Sequence, residues 1–463
     1  MANQPPTIQH AGEDESNALR RRLNACEPLC LRTFTPSQLV IAKSAGSYHY
    51  TPEGRKLADF SSGVLVANLG HNPTRWWKRV TELLALDGLA QETEEFTAAV
   101  PLTAYNAVTS LEIEASERLL KSVRSQPGGK RLEQVLWAAS GSEAIQKALW
   151  TALARRKGED IILATRAGFH GKKGLAGAVT GSEKDPERDR RVRFISFPTE
   201  ECRNLEKRKQ PIDLAPYKAE LEAVWAEYGS RICTLITEPY LGGGGSYHPQ
   251  KEYLQLLEQF CREHDIVFIL DEVQANFGRT GEMYAYTTYG VEPDIVVLGK
   301  GLGNGVAVSA AVGRADLFAA LRYGEGSDTW SANPLSSAAV VATLDAFETT
   351  GVLEHAKQLA RVLESGLARL TETGVVAHVR GEGMVWGLEC TAVGKHSANE
   401  VAAALVEACY VGDSSGRAIH LLGALAGKVL RVSPPLVMPL EEAKAYLDVL
   451  YGIFAAVGKK LSA

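Results

Sequence analysis

The sequence predicts an α/β fold: a mostly parallel seven-stranded sheet between helices, with a smaller α+β domain built from the N- and C-terminal segments. Three observations carry this. Seven short runs rich in β-branched and apolar residues recur at 135–140, 160–165, 192–197, 233–238, 266–271, 294–299 and 307–312, and several lack apolar/polar alternation, as strands buried on both faces do. Helical stretches separate them. Ile145, Leu149 and Leu153 with Ala148 and Ala152 mark one apolar face, and residues 253–264 form a second candidate, so strand and helix alternate. Finally, 463 residues, 45% of them hydrophobic and 23% charged, are ordinary for a globular protein and enough for more than one core.

The elements follow in order. The first thirty or so residues are polar and read as an arm. The segment holding Gly46, Tyr50, Gly54 and Asp59 has hairpin character. After Pro334 the texture changes. Helical patterns at 335–349 and 352–373 lead into strand candidates at 375–380 and 384–389, a helix near 399–409, a strand near 429–432 and a last helix from Glu441. The expected division is 1–75 for the arm and part of a small domain, 76–334 for a large domain, and 335–463 for the rest of the small one.

Composition excludes several classes. Fifty Lys and Arg against 55 Asp and Glu leave a net charge of −5, which gives no basis for nucleic acid or anionic membrane as the main partner. No run of 18 apolar residues offers a membrane span. Residues 1–22 carry Glu13, Asp14 and Glu15 without an apolar core, unlike a signal peptide, so a cytoplasmic location is expected. The seven cysteines show no secreted disulfide framework. Cys26 and Cys30 have no second pair at zinc spacing, so no metal site is expected.

Open α/β sheets bind ligands beyond the carboxyl ends of their strands. After the first run comes Ser140-Gly141-Ser142-Glu143, ahead of a helix. It reads either as an anion site at a helix N-terminus or as a plain N-cap. After the fifth comes Asp271-Glu272, a pair able to bind metal, to hold a protonated nitrogen or to serve structure. A P-loop to accompany magnesium is absent. After the sixth comes Gly299-Lys300-Gly301-Leu302-Gly303-Asn304-Gly305. A lysine buried there would have a depressed pKa and a nucleophilic amine. A solvated loop lysine is the alternative. The glycines would let a flat ligand approach the backbone, but their spacing is not the dinucleotide G-x-G-x-x-G. Together, an anion site, a carboxylate for a ring nitrogen and a lysine for an aldehyde are the three handles that pyridoxal 5'-phosphate (PLP) requires.

On these and further motifs the chain resembles the class III (ω-type) aminotransferases of PLP fold type I, from about Gly46 to the C-terminus. The motifs are Asp59-Phe60-Ser61-Ser62-Gly63 with Leu69-Gly70-His71, Phe169-His170-Gly171, Glu238-Pro239, 271–281, 294–305, Thr329 through Asn333-Pro334, and Arg431 with Pro434-Pro435. The resemblance implies that Lys300 is the Schiff-base lysine and proton shuttle, and that Asp271 pairs with the pyridine nitrogen. It further implies that Phe169 and Val273 flank the ring, Gln274 bonds its hydroxyl, and Gly141 and Ser142 bind phosphate through backbone N–H groups. His170 and Glu238 would support these contacts. Thr329 would reach the cofactor of a neighbouring subunit, making a homodimer the minimal unit, with a tetramer possible in principle. Arg431 would hold a substrate carboxylate. The implied reaction moves an amino group from an amine or ω-amino acid to a keto acid, pyruvate or 2-oxoglutarate, with ping-pong kinetics.

Departures bear on substrate. Relatives that alternate glutamate with an ω-amino acid carry a glutamate gate for the arginine where this chain has Gly243. This resembles the pyruvate-using ω-amine and β-alanine members more. Val64 stands where a dialkylglycine decarboxylase has a glutamine nearby, and Val64 cannot hydrogen-bond a leaving carboxylate. Trp330 replaces a smaller aromatic, and either narrows the substrate pocket or packs at a subunit interface. Ala139 replaces a frequent asparagine. The alternatives are racemisation, epimerisation or decarboxylation in the same site, an NAD-dependent dehydrogenase, or a non-catalytic PLP-fold protein.

Overall fold

The computed structural model describes residues 8–91, 93–184 and 189–463. Its strands are β1 (Lys43–Ala45), β2 (Tyr48–Tyr50), β3 (Lys56–Asp59), β4 (Gln134–Ala138), β5 (Ile161–Thr165), β6 (Val192–Ile195), β7 (Ile232–Thr237), β8 (Val267–Asp271), β9 (Ile295–Leu298), β10 (Ser309–Gly313), β11 (Val376–Glu382), β12 (Val385–Cys390), β13 (Ala418–His420) and β14 (Val429–Val432). The seven sequence runs become one sheet, ordered β4-β10-β9-β8-β7-β5-β6.

Every residue of β5, β7, β8, β9 and β10 is buried. Helices cover both faces, which is why the runs show no alternation. β10 runs antiparallel to both its neighbours, while the other neighbouring pairs are parallel. The six remaining strands therefore share one carboxyl edge, and the chain leaves it at Ala138, Thr165, Ile195, Thr237, Asp271 and Leu298.

Two smaller sheets flank this one. The β1–β2 hairpin pairs Ala45 with Tyr48, and Gly46 takes the left-handed φ of +57° that the tight turn demands. β3 then pairs in parallel with β13, so N- and C-terminal segments complete a single four-stranded sheet. β11, β12 and β14 form an antiparallel sheet.

The Pro334–Thr349 helix starts with proline behind an Asn333 cap. It packs on the Thr74–Leu83 and Ser110–Ser125 helices. The pattern expected over 352–373 is α-helical only to Ala368 and tightens to a 3-10 turn ending at Gly374. No helix among the described residues is long and apolar enough to cross a membrane.

The expected polar arm is corrected in part. Residues 1–7 lie outside the described residues, but Asp14–Cys26 is a docked helix. Its anchor is a buried guanidinium: Arg20 donates to Glu13 Oε2 at 2.8 Å, to the Tyr410 hydroxyl at 3.0 Å and to the Gln38 carbonyl at 3.0 Å. Composition hid this because the contact is ionic rather than apolar.

Candidate active site

The carboxyl edge carries the predicted residues that follow β4, β5, β7, β8 and β9, while Arg431, Val64, Thr329 and Trp330 lie on other segments. At the end of β4, Ser140 closes a capping box: its hydroxyl accepts the Glu143 N–H, and the Glu143 carboxylate accepts the N–H groups of Ala139 and Ser140. The N-cap reading is what the helix start shows, and it does not compete with an anion site. Capping occupies those three donors, while the Gly141 and Ser142 N–H groups have no hydrogen-bond partner among the described residues. Two free donors at a positive helix end suit a phosphate. Gly171 is required nearby, since a Cβ there would lie 2.3 Å from Ser142 Oγ.

β8 ends at Asp271, Glu272 follows it, and the structure separates their roles. Glu272 is fully buried and accepts the N–H groups of Ala285 and Tyr286 at 2.7 and 2.6 Å. Burial pushes its carboxyl up to about 8 against those two bonds. It is a structural acceptor. Asp271 instead meets His170 Nδ1 through Oδ2 at 2.7 Å and the Val273 N–H through Oδ1 at 3.0 Å. His170 is buried, and its Nε2 lacks a partner among the described residues. Next to them Glu238 accepts the Phe169 N–H at 2.9 Å and the Gly242 N–H at 3.2 Å. Burial lifts Glu238 to about 7, with the Asp271 charge adding and His170 opposing.

Lys300 follows β9. Its φ of +48° is left-handed, a strained setting for a non-glycine residue and one that recurs at functional sites. The side chain is only partly exposed. Burial, reinforced by the positive charge of Arg431, brings its amine down to about 8, although Asp271 and Glu238 pull the other way. Partial burial and the lowered pKa favour an enclosed amine over a solvated loop lysine.

The glycines around it need a different account from the one expected. A Cβ on Gly299 would lie 2.5 Å from Ser309 Oγ, and one on Gly301 would lie 2.4 Å from Asn68 Nδ2. These positions accommodate protein neighbours rather than a flat ligand.

Arg431, on β14, donates to Gln274 Oε1 at 3.0 Å. It is buried, its Nε has no partner, and no carboxylate pairs with it among the described residues. Val64 is exposed and lies in a run, Ser62 to Leu65, in which all four residues have positive φ. For a β-branched residue this is an outlier. Phe169, Thr329 and Trp330 are exposed on the single chain.

Sequence reasoning missed Lys147. It lies buried on the Gly141–Ala154 helix and donates to the Trp137 carbonyl, to Asp328 Oδ2 at 2.7 Å and to Ser331 Oγ at 3.2 Å. It ties the anion-site helix to the segment bearing Thr329 and Trp330. A lysine within an apolar helical face was the available signal.

Free N–H donors for a phosphate, an oriented carboxylate, and a lysine near neutrality by one sheet edge fit PLP as a donor set. A sequence model described as aminotransferase class-III matches residues 32–454. The chain is 30% identical over 422 residues to acetylornithine aminotransferase of Agrobacterium fabrum, covering 89% of this chain and 92% of that protein. It is 28% identical over 430 residues to 4-aminobutyrate aminotransferase of Mycobacterium bovis, covering 90% of each. An amine transaminase from an uncultivated Pseudomonas species, solved in its PLP-bound form, superposes with a TM-score of 0.76 at 25% identity over 99% of this chain and 100% of that one. Ornithine aminotransferase from Toxoplasma gondii gives 0.79 at 21% identity, covering 98% and 97%. The chain belongs to the class III aminotransferase family. It is a transaminase of PLP fold type I, and PLP is its cofactor.

Proposed function

We propose that this transaminase moves an amino group from an amine or ω-amino acid to a keto acid whose carboxylate is held by Arg431. The observation that carries the reading is the state of that arginine. A buried guanidinium with an orphaned Nε and no carboxylate partner is a standing demand for an external anion. Gly243 supplies no gate, and a Cβ there would already lie 3.0 Å from Phe169 Cβ. Pyruvate is the acceptor favoured over 2-oxoglutarate. The curated relatives include acetylornithine and 4-aminobutyrate enzymes, so both acceptors belong in the test.

Bound PLP supplies an electron sink that acidifies the substrate C–H bond. Lys300 takes that proton with its neutral amine and delivers it again. Asp271, oriented by His170, presents negative charge to the ring nitrogen. The Gly141 and Ser142 N–H groups bind the phosphate. Phe169 and Val273 would flank the ring, and Gln274, already bonded to Arg431, would serve its hydroxyl. Thr329 and Trp330, exposed here and braced through Lys147, face a second copy of the chain in a homodimer. Val64, in its strained turn, borders the substrate.

The test is a donor screen against both acceptors, with Lys300→Ala as control. A new amino acid forming only when a keto acid is supplied supports the reading. Turnover without an acceptor points to racemisation and refutes it, as does full activity in Lys300→Ala.

A further inference from the structure

A second cluster lies in the four-stranded sheet and takes no part in the chemistry above. The register builds it. His420 on β13 sits opposite Asp59 on β3, and His49 on β2 sits opposite Leu57, two residues before Asp59. Side chains two apart share a face, so three strands present His49, Asp59 and His420 on one side of the sheet. All three are buried, and one ligand atom from each lies within 4.8 Å of the others.

Hydrogen bonding accounts for only part of this cluster. Asp59 Oδ1 is saturated by the Ser61 N–H at 2.7 Å, the Ser61 hydroxyl at 2.7 Å and the Ser62 N–H at 3.1 Å. Oδ2 takes His71 Nε2 at 2.7 Å. His49 Nε2, however, stands 3.4 Å from the same Oδ2, longer than a good hydrogen bond. His49 is not free to swing closer, since its Nδ1 is fixed at 2.7 Å from Ser44 Oγ. His420, nine-tenths buried, has a ring nitrogen, Nδ1, without a hydrogen-bond partner among the described residues.

The His49–Asp59 separation is that of two ligands on one ion, and His420 offers its ligand atom within 4.8 Å of both. Bonds of ~2.0–2.1 Å at the tetrahedral angle place ligand atoms ~3.4 Å apart. Two imidazoles with one carboxylate are a donor set for zinc-class ions, and the Ser44 and His71 contacts are the outer bonds that orient such ligands.

We propose that His49, Asp59 and His420 bind a divalent cation of the zinc class, with a fourth position open to water. The ion joins β2, β3 and β13, and so fastens the N-terminal segment to the C-terminal one. Asp59 also accepts the Ser61 and Ser62 N–H groups, and so links the ion to the start of the positive-φ turn that carries Val64.

The experiment takes purified holoenzyme, strips it with a chelator, and titrates it with Co2+ and then Zn2+. One equivalent of Co2+ per chain is expected, with the visible bands of a tetrahedral nitrogen–oxygen site and no thiolate charge-transfer band. Zn2+ displaces it and raises the melting temperature with concentration. His420→Ala and His49→Gln abolish uptake. Ser44→Ala, which spares the ligands, weakens it roughly 10- to 100-fold and decides the matter if the histidine variants fail to fold. Cys26→Ser with Cys30→Ser leaves uptake intact. The proposal is overturned if the native enzyme shows no saturable uptake, if a thiolate band appears, or if Ser44→Ala and His420→Ala both bind as the native enzyme does. None of these readouts depends on transaminase activity.

Discussion

Lys300→Met in the cofactor-free protein is the sharpest test of the electrostatics. Methionine keeps an unbranched chain and removes the charge. The amine lies at about 8 against an ordinary 10.5, and each tenfold change in proton affinity is worth ~1.4 kcal/mol. Holding the ammonium in the site at pH 7 therefore costs up to ~3 kcal/mol. The sign follows from linkage. The folded group releases its proton at about 8, whereas the unfolded group keeps it to 10.5. Within that window the unfolded state binds more protons, so stability rises with pH. Below 8 the penalty is fully present. In urea melts at fixed protein concentration, the variant should exceed the native chain by up to ~3 kcal/mol at pH 7 and by ~1 kcal/mol less at pH 9. Titrating groups that do not interact with Lys300 cancel in the difference, whereas Asp271 and Glu238, which act on the amine, contribute to it. Equal stability at pH 7, or a gap that does not shrink with pH, would refute a buried, near-neutral Lys300.

Other expectations follow from the same geometry. Arg431→Ala should raise KM for the keto acid on the order of 100-fold with a smaller change in kcat, read from steady-state kinetics; an unchanged KM would remove Arg431 from the substrate site. Lys147→Met leaves Asp328 and the Trp137 carbonyl short of a donor and should cost about 1–3 kcal/mol in thermal melts, with weaker PLP retention by absorbance titration. Glu13→Ala strands the buried Arg20 guanidinium and should cost ~3 kcal/mol in a urea melt; a loss below ~0.5 kcal/mol would mean that the Asp14–Cys26 helix is not docked through this pair.

The chain alone determined a good deal. Strands buried on both faces lose the alternation of apolar and polar residues, and this wrote β5, β7, β8 and β9 into the sequence as mostly apolar runs. Residues that follow such strands come to one edge by topology, so Gly141, Asp271 and Lys300 could be grouped before any coordinates. Hydrophobic patterning carries no strand direction, however, and the reversal of β10 emerged only from pairing. Nor does patterning report ionic anchors: Arg20 fell in a stretch read as a polar arm and Lys147 drew no reading, because their partners, Tyr410 and Asp328, lie far away in sequence. The Asp271-Glu272 pair shows the division most plainly. Two adjacent carboxylates are chemically alike in the chain. Only tertiary packing gave one a pair of helix N–H groups and the other a histidine, because a side chain's role is fixed by the neighbours that replace its water.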